Sequence, residues 1–332
     1  AAPTNLAIGN QASFNSAEPA NGIYLPAITA FNKSASVEML VIGVSPKMEP
    51  ISNITTKNAL NDVNGTSATG KANTEYDPYN VIGIHAIVPL LKGGNVQFSF
   101  LAPIDSLMES NSGDSFLPEY VMYRARPKRT FLEANYAHAF TDHFAVSAGI
   151  NMAIQAAGNV NTLLNFQGNN SSTPSFASTK VKAESKYVFN ASTAYKTETW
   201  QIGMAIQQEM QSKVKMRTFV QTGQPLPVSN DIEIENMQYY DPWVIRFNFA
   251  KNFALATVYL GADYQMWKNY QTPLVNLKKI DGVMLSSGGY EKVETRPVLI
   301  PRIGLSIHAT ERFDWNLGAF YRPTPFKGTF SG

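Results

Sequence analysis

The chain alternates between apolar and polar or small residues with a period of two, and this pattern recurs along most of its length. In segment 144–152, Phe144, Val146 and Ile150 occupy one phase, while Ser147 and Asn151 occupy the other. Successive side chains of a strand point to opposite faces, so such a segment has one apolar and one polar face. The pattern recurs in segments 200–207, 243–249, 302–309 and 314–322. No stretch keeps helical spacing, so the sequence predicts an all-β, antiparallel chain.

Eleven segments are predicted as strands, and the connections between them alternate between short and long. The strands lie near residues 36–44, 79–90, 94–103, 128–140, 143–156, 185–196, 199–212, 231–249, 254–267, 298–310 and 312–322. The long connections cover 45–78, 104–127, 157–184, 213–230 and 268–297. Short turns at one end and long loops at the other are typical of transmembrane β-barrels of the bacterial outer membrane.

Aromatic residues flank the short turns, which supports a membrane location. Phe140 and Phe144 bracket one turn, and Tyr195 and Trp200 bracket the next. Amphipathic rings at one level are typical of an interfacial girdle. Because every backbone group in lipid needs a hydrogen-bond partner, the strands are predicted to close into a barrel. Its apolar phase then faces lipid, and its polar phase faces the lumen.

The composition excludes several other classes of protein. The 332 residues contain no cysteine, only 16% are charged, and the formal net charge is +2. Without basic clusters, nucleic acid is not expected as a partner. Without cysteine there is no disulfide and no thiolate chemistry. No set of histidine and carboxylate residues has metal-ligand spacing, and no phosphate-binding glycine loop is present, so no metal or cofactor is expected.

The first 34 residues do not alternate, and we predict that they fold back into the lumen as a hatch. This segment is too apolar for a solvated tail, and its candidate lumen residues are Ile23, Tyr24, Leu25, Ile28 and Phe31. The predicted domains are therefore a hatch at 1–34 and a barrel at 35–332. Because a hatch closes the lumen, passage of a substrate needs a rearrangement or a side exit.

At this point the sequence resembles the FadL-type transporters of Gram-negative outer membranes. The resemblance rests on segment 17–28, followed by Phe31 and a first strand near 37–44. Similar stretches follow at 131–154, 259–267, 302–305 and 320–323. The resemblance implies a 14-stranded barrel with a hatch that carries hydrophobic small molecules, fatty acids or other hydrocarbons, by passive diffusion. It also implies contact with outer-membrane lipid and lipopolysaccharide.

Two departures from the family pattern concern the substrate. The family's hatch usually carries Asn-Pro-Ala, whereas here the first position is Leu25. Fatty-acid members carry basic residues late in the fifth strand, whereas segment 155–159 contains none. Both departures favour an uncharged hydrophobic compound over a fatty acid.

The family releases its substrate sideways at an inward kink of the third strand. Here Ala102 and Pro103 occupy the corresponding place, and proline removes a ladder hydrogen bond. They are the predicted lateral-exit kink. The alternative is that Pro103 merely ends the strand before its loop.

Further candidate residues lie in the outer loops and in the polar phase of the strands. The predicted capture residues are Leu107, Met108, Phe116, Leu117 and Phe166. Apolar loops exposed on such a protein favour capture of a hydrophobic ligand, although they could instead pack on each other. The predicted lumenal bases are Arg246, Arg302 and Arg322, which either hold a substrate carboxylate or form a network with Glu133, Asp263 or Asp314.

Two other functions compete with hydrophobic transport. A general diffusion porin would need an open lumen lined by charge. An outer-membrane lipase would need a serine–histidine pair, and Ser306 and His308 share one face of a strand. They lie in the lumenal phase without an evident orienting residue, so the chain is not expected to be an enzyme.

The odd number of strands raises one further expectation. Bacterial single-chain barrels normally have an even number, and a 14-stranded barrel would need three more strands than the eleven found here. We therefore expect the chain to be incomplete, or to be completed by a second polypeptide.

Overall fold

The structure of this chain is a computed structural model. It describes residues 3–45, 54–57, 67–70, 79–90, 93–104, 130–154, 158–164, 175–183, 186–221, 229–270, 274–279, 284–286, 294–310, 313–325 and 327. Within these ranges, no helix has the length and apolar character needed to cross a membrane.

The main sheet has eleven antiparallel strands, as the sequence predicted. In spatial order they are β1 (Ser36–Val44), β4 (Tyr79–Pro89), β5 (Gly94–Pro103), β6 (Thr130–Ala139), β7 (Phe144–Ile154), β10 (Lys186–Lys196), β11 (Trp200–Gln207), β14 (Trp243–Asn252), β15 (Ala256–Met266), β18 (Val298–Thr310) and β19 (Phe313–Phe320). Each strand pairs with the next one along this order, so the sheet is built from successive hairpins.

Exposure in this sheet is inverted relative to a water-soluble protein. Phe98 of β5 is 51% exposed, whereas its neighbour Gln97 is fully buried. In β15, Leu260 is 45% exposed and Asp263 is buried. A soluble sheet buries its apolar face, whereas a transmembrane barrel turns that face to lipid and keeps its polar residues inside. The sheet is therefore the wall of a transmembrane β-barrel.

Three connections that were predicted to be long loops contain a second, six-stranded sheet. Its strands, in spatial order, are β17 (Met284–Ser286), β16 (Leu274–Lys279), β13 (Ser229–Asp241), β12 (Met210–Gln221), β9 (Ser175–Ala183) and β8 (Gly158–Leu164). The prediction of loops at 157–184, 213–230 and 268–297 is wrong, because the barrel hairpins continue beyond the membrane and pair with each other there.

The structure differs from the predicted strands in two smaller ways. Connection 45–78 contains a separate hairpin of β2 (Ile54–Lys57) and β3 (Ser67–Gly70). The predicted strand 231–249, whose regular pattern Asp241-Pro242 was expected to interrupt, is two strands, with Pro242 between β13 in the outer sheet and β14 in the barrel. Proline has no N–H to donate to a ladder, so it marks the level at which one sheet gives way to the other.

The N-terminal segment lies against the inner face of the barrel wall. It contains helix α1 (Pro3–Ala7) and two 3₁₀ helices, η1 (Pro19–Ile23) and η2 (Pro26–Phe31). Helix η1 contacts β1, β4 and β5, helix η2 contacts β5, β6, β7 and β10, and α1 contacts β19. Because one short segment touches both end strands of the order and several strands between them, the sheet must curl around it.

Glycines of the wall allow this segment to approach closely. A side chain at Gly203 would overlap Leu25, and a side chain at Gly304 would overlap Ile8. A Cβ atom at Gly318 would overlap the backbone nitrogen of Gly9, which itself has φ +89°. A positive φ is a conformation that glycine adopts without strain, so Gly9 lets the chain turn against the wall.

The aromatic residues at the short turns meet in pairs and remain exposed, as an interfacial girdle requires. The ring centroids of Tyr195 and Trp200 are 5.2 Å apart, and those of Phe313 and Trp315 are 5.4 Å apart. These pairs place one edge of the apolar band at the short turns, so the outer sheet lies beyond its other edge.

We predict that Leu260→Arg destabilises the barrel strongly, because Leu260 lies near the middle of β15 on the exposed apolar face. The expected loss is about 2–4 kcal/mol for a cation at the middle of the bilayer. Reversible urea unfolding in phospholipid vesicles measures it, with Leu260→Met as the control. Equal stability of the two variants would contradict a lipid-facing position.

Candidate functional site

The N-terminal segment is held in shape by a buried side-chain amide. The Oδ1 atom of Asn21 accepts hydrogen bonds from Asn5 Nδ2 (2.6 Å) and from the backbone N–H of Ser13 (3.0 Å). Its Nδ2 atom donates to Ser13 Oγ at 2.7 Å and to the carbonyl of Asn15 at 2.8 Å. These bonds connect η1 to helix α1 and to the stretch at residues 13–15. The segment therefore has its own fixed shape.

One carboxylate joins two arginines at the interface between this segment and the wall. Asp263 Oδ2 lies 2.7 Å from Arg302 Nη2, and Asp263 Oδ1 forms an ion pair with Arg246 Nε at 3.3 Å. Arg302 also donates to the carbonyl of Gly9 at 3.0 Å. Arg246 donates to the carbonyls of Ile23 and Tyr24, each at 3.3 Å. We call Arg246, Asp263 and Arg302 the charge cluster.

The charge cluster matches the network alternative rather than two free basic groups. Asp263 is the partner of both arginines, whereas Glu133 accepts a hydrogen bond from Asn135. Asp314 lies 3.0 Å from His308, so it belongs to a different pair. Arg322 lies beyond the end of β19 and is exposed, so the three predicted arginines are not brought together.

The residues predicted to belong to a hatch lie against the inner face of the wall. Leu25 and Ile28 are fully buried, Tyr24 is almost so, and Ile23 and Phe31 are partly buried. They form one cluster with the wall alanines Ala194, Ala205 and Ala250. Small wall residues leave room for the segment, which packs closely against these strands.

A chain of buried polar groups lines the wall beneath helix η1. His85 Nδ1 lies 2.8 Å from Ser99 Oγ, which also accepts from Gln97 Nε2. Asn135 Nδ2 donates to Gln97 Oε1 at 2.6 Å and to Glu133. Gly22 of η1 packs directly on the side chain of Gln97. The wall at the level of the segment is therefore polar.

Closer to the outer sheet, the inner wall becomes apolar in two patches that sequence reasoning missed. The aromatic patch consists of Tyr240, Trp267, Tyr270, Val298 and Ile300. Its three ring centroids are 5.8 to 6.2 Å apart. The aliphatic patch consists of Ala153, Val188, Met210 and the partly buried Phe131. Only their burial distinguishes them from other strand residues, and burial is a tertiary property.

The predicted lateral-exit residues lie at the end of β5. Ala102 and Pro103 still pair with Ile82 and Val81 of β4, whereas the ladder with β6 stops at Leu101. Neither ladder shows a register shift along β5. This geometry places Pro103 where the strand ends, at the start of the connection to β6.

Two sets of candidates remain: the outer-loop capture residues, which lie outside the described residues, and the candidate lipase pair, whose members have different partners. The capture residues outside the described ranges are Leu107, Met108, Phe116, Leu117 and Phe166. Ser306 Oγ donates to Asn316, and the Nε2 atom of His308 lies 3.2 Å from Thr257 Oγ1. The serine and the histidine of the candidate lipase pair are thus engaged with different partners.

Comparison with known proteins gives matches by structure and none by sequence. No protein-family profile and no curated protein matches the chain. A Pseudomonas aeruginosa FadL homologue has 13% identity and a TM-score of 0.63, and the match covers 98% of this chain and 80% of that one. The toluene transporter TbuX of Ralstonia pickettii has 13% identity and a TM-score of 0.56, with coverages of 97% and 86%. The toluene transporter TodX of Pseudomonas putida has 14% identity and a TM-score of 0.53, with coverages of 96% and 82%.

The fold and the site together define an outer-membrane-type β-barrel whose N-terminal segment lies inside it. Among barrels of this type, the chain has the fold of the FadL-type transporters, which confirms the resemblance seen in the sequence.

We predict that Asp263→Ala destabilises the protein by about 3–5 kcal/mol, because it leaves two largely buried arginine side chains without their carboxylate. The matched control is Asp231→Ala, which removes an ion pair with the exposed Arg217 on the outer sheet and leaves stability unchanged. Guanidinium unfolding followed by tryptophan fluorescence gives both values. Equal stability of Asp263→Ala and the unsubstituted chain would contradict a structural role for the cluster.

Proposed function

We propose that the protein carries uncharged hydrophobic small molecules passively across the outer membrane of a Gram-negative bacterium. The observation that supports this most directly is the change in the inner wall. The lumen is filled by the N-terminal segment at one level and is apolar on the side of the outer sheet. An apolar inner surface binds an apolar molecule by removing both from water. Capture from outside then needs no energy source.

The charge cluster favours an uncharged substrate over a fatty acid. Asp263 already pairs with both arginines, and three backbone carbonyls of the N-terminal segment accept further hydrogen bonds from them. A substrate carboxylate would have to displace these partners. Two of the structural relatives, TbuX and TodX, are toluene transporters. We therefore take a small aromatic hydrocarbon as the test substrate.

In this proposal residues 1–34 are a hatch and residues 35–332 are the barrel. The hatch blocks passage, and a rearrangement of the hatch or a lateral exit near Ala102 and Pro103 releases the substrate into the lipid. The partners are the substrate, the outer-membrane lipid and lipopolysaccharide. In this proposal a second polypeptide completes the barrel by pairing with β1 and β19, which are the end strands of the order among the described residues, since an open edge in lipid leaves backbone groups without partners.

A general diffusion porin is the second candidate, and the filled lumen argues against it. Porins need a water-filled channel, whereas the described lumen at the level of the charge cluster contains the packed residues Tyr24, Leu25 and Ile28. An enzyme is the least supported candidate, because Ser306 and His308 do not meet.

We predict that deletion of residues 1–34 opens an ion-conducting pore, because this segment fills the lumen. Planar-bilayer recordings should show low conductance for the full chain and large, steady currents for the deletion. Leu6→Ser, at an exposed position of the segment, is the control and leaves conductance low. Low conductance in a folded deletion variant would contradict the hatch, and high conductance of the full chain would favour the porin.

Uptake of radiolabelled toluene by cells that express the chain tests the proposed function itself. We expect faster uptake than in cells without the chain, and no effect on a hydrophilic sugar of similar mass. In the same assay Pro103→Ala reduces toluene uptake if Pro103 holds a lateral gap open, because alanine restores the missing backbone donor. Unchanged uptake by Pro103→Ala would reject that role for Pro103 and leave the transport function standing.

A further inference from the structure

A row of polar side chains crosses the inner face of three neighbouring strands, β6, β7 and β10. Glu133 of β6 pairs in register with Asn151 of β7. Asn190 of β10 donates to Asn151 Oδ1 at 2.6 Å, and Asn135 of β6 donates to Glu133. We call Glu133, Asn135, Asn151 and Asn190 the acceptor row.

The acceptor row contains buried oxygens that have no donor. Among the described residues, neither Asn135 Oδ1 nor Asn190 Oδ1 has a hydrogen-bond partner, although both atoms are buried. The amide nitrogens of the same two residues already donate within the wall. A buried acceptor without a donor costs free energy, and native proteins satisfy most such groups. The acceptor row therefore lacks donors and not acceptors.

Both oxygens belong to side chains that flank one glycine. Gly149 of β7 pairs with Asn135 on one side and with Asn190 on the other. A Cβ atom at Gly149 would overlap Asn135 Oδ1, so the glycine leaves the space that this oxygen occupies. Adjacent strands lie ~4.8 Å apart, so about 10 Å separates the backbones of the two asparagines. A small polar group placed between them lies within reach of both side chains.

An apolar surface adjoins the acceptor row on the side of the outer sheet. Three members of the aliphatic patch, Phe131, Ala153 and Val188, each lie two residues from a member of the row on the same strand. Residues two apart share a face of a strand and are ~6.6 Å apart. Towards the short turns, Ser192 Oγ accepts a hydrogen bond from the backbone N–H of Ala27 at 2.8 Å. The row therefore lies between the N-terminal segment and an apolar surface.

This combination suits a neutral hydrogen-bond donor that is attached to an apolar body. A hydroxyl group donates one hydrogen bond without carrying a charge, so it satisfies a buried oxygen at little cost. A carboxylate has only acceptors, so it leaves the oxygens unpaired. An ammonium group donates, but burial of its charge beside the aliphatic patch is costly. A hydrocarbon covers the patch and also leaves the oxygens unpaired.

From this geometry we infer that the acceptor row binds the hydroxyl group of the transported molecule, while the apolar part of that molecule rests on the aliphatic patch. The substrate class is then a small phenol or alcohol. This inference rests on the proposed function and narrows its substrate class. The spacing of ~6.6 Å between the row and the patch matches a molecule built on one substituted benzene ring.

Binding of three matched compounds to the purified full chain in detergent tests the inference. The compounds are 4-methylphenol, toluene and 4-methylbenzoate, which differ only in the group opposite the methyl group. Titration calorimetry, with protein-free micelles as the blank, gives the affinities. We expect 4-methylphenol to bind roughly 3- to 10-fold more tightly than toluene, the effect of one hydrogen bond, and 4-methylbenzoate to bind most weakly.

Equal affinity for 4-methylphenol and toluene would mean that ordered water already satisfies the oxygens, and it would overturn the inference. Tightest binding of 4-methylbenzoate would overturn it as well.

Substitutions at Asn190 separate ligand binding from a structural role. Asn190→Leu removes both the acceptor oxygen and the donor to Asn151, so it should abolish the preference for 4-methylphenol and leave the affinity for toluene unchanged. Asn190→Asp keeps acceptor oxygens but lacks the amide donor, so it should keep the preference. The control is Gln201→Leu at the short-turn end of β11, where Gln201 Oε1 is another buried oxygen without a partner among the described residues. It should leave both affinities unchanged.

A preference that survives in folded Asn190→Leu would overturn the inference, and so would equal loss in Asn190→Leu and Asn190→Asp, which indicates a structural role. If neither variant folds, the comparison of the three compounds on the unsubstituted chain decides alone. Failure to bind any of the compounds, together with no uptake of toluene, would contradict the proposed function and the inference with it.

Discussion

The hydrogen-bonding requirement of a backbone in lipid is the constraint on which the rest of this structure depends. Each described strand of the barrel pairs with its neighbours in the strand order over most of its length, because a bare N–H or C=O group in hydrocarbon costs several kcal/mol. Pairing fixes the alternation of faces, and alternation turns leucine and phenylalanine outward while glutamine, asparagine and aspartate face in. The inverted exposure and the polar lumen are consequences of that single requirement.

A polar inner wall needs partners for its side chains, and the N-terminal segment packs against it. The backbone of the segment, as well as its side chains, contacts the barrel wall. A side chain at Gly304 or Gly318 would overlap that backbone, so glycine is required at these wall positions. The charge cluster fastens the segment through carbonyls of residues 9, 23 and 24. Carbonyls are weaker partners than carboxylates, so the segment is held while the strong ion pairs stay within the wall.

The polarity of the inner wall therefore changes along the axis of the barrel. At the level of the segment the wall is polar or lined by small residues, and nearer the outer sheet it carries the aromatic and aliphatic patches. A hydrophobic molecule is stabilised only in the apolar part.

The sequence alone determined which face of each strand meets lipid, where the girdle lies and which segment is irregular and apolar. These features have a period of two or are local, so they can be predicted from the order of residues alone. The tertiary structure decided that Asp263 and neither Glu133 nor Asp314 pairs with the arginines, because the partner depends on strands that the order β14–β15–β18 brings together. It also decided that three predicted loops pair as an outer sheet. Contacts between distant strands depend on the register and the curvature of the sheet, and the local alternation of residues determines neither.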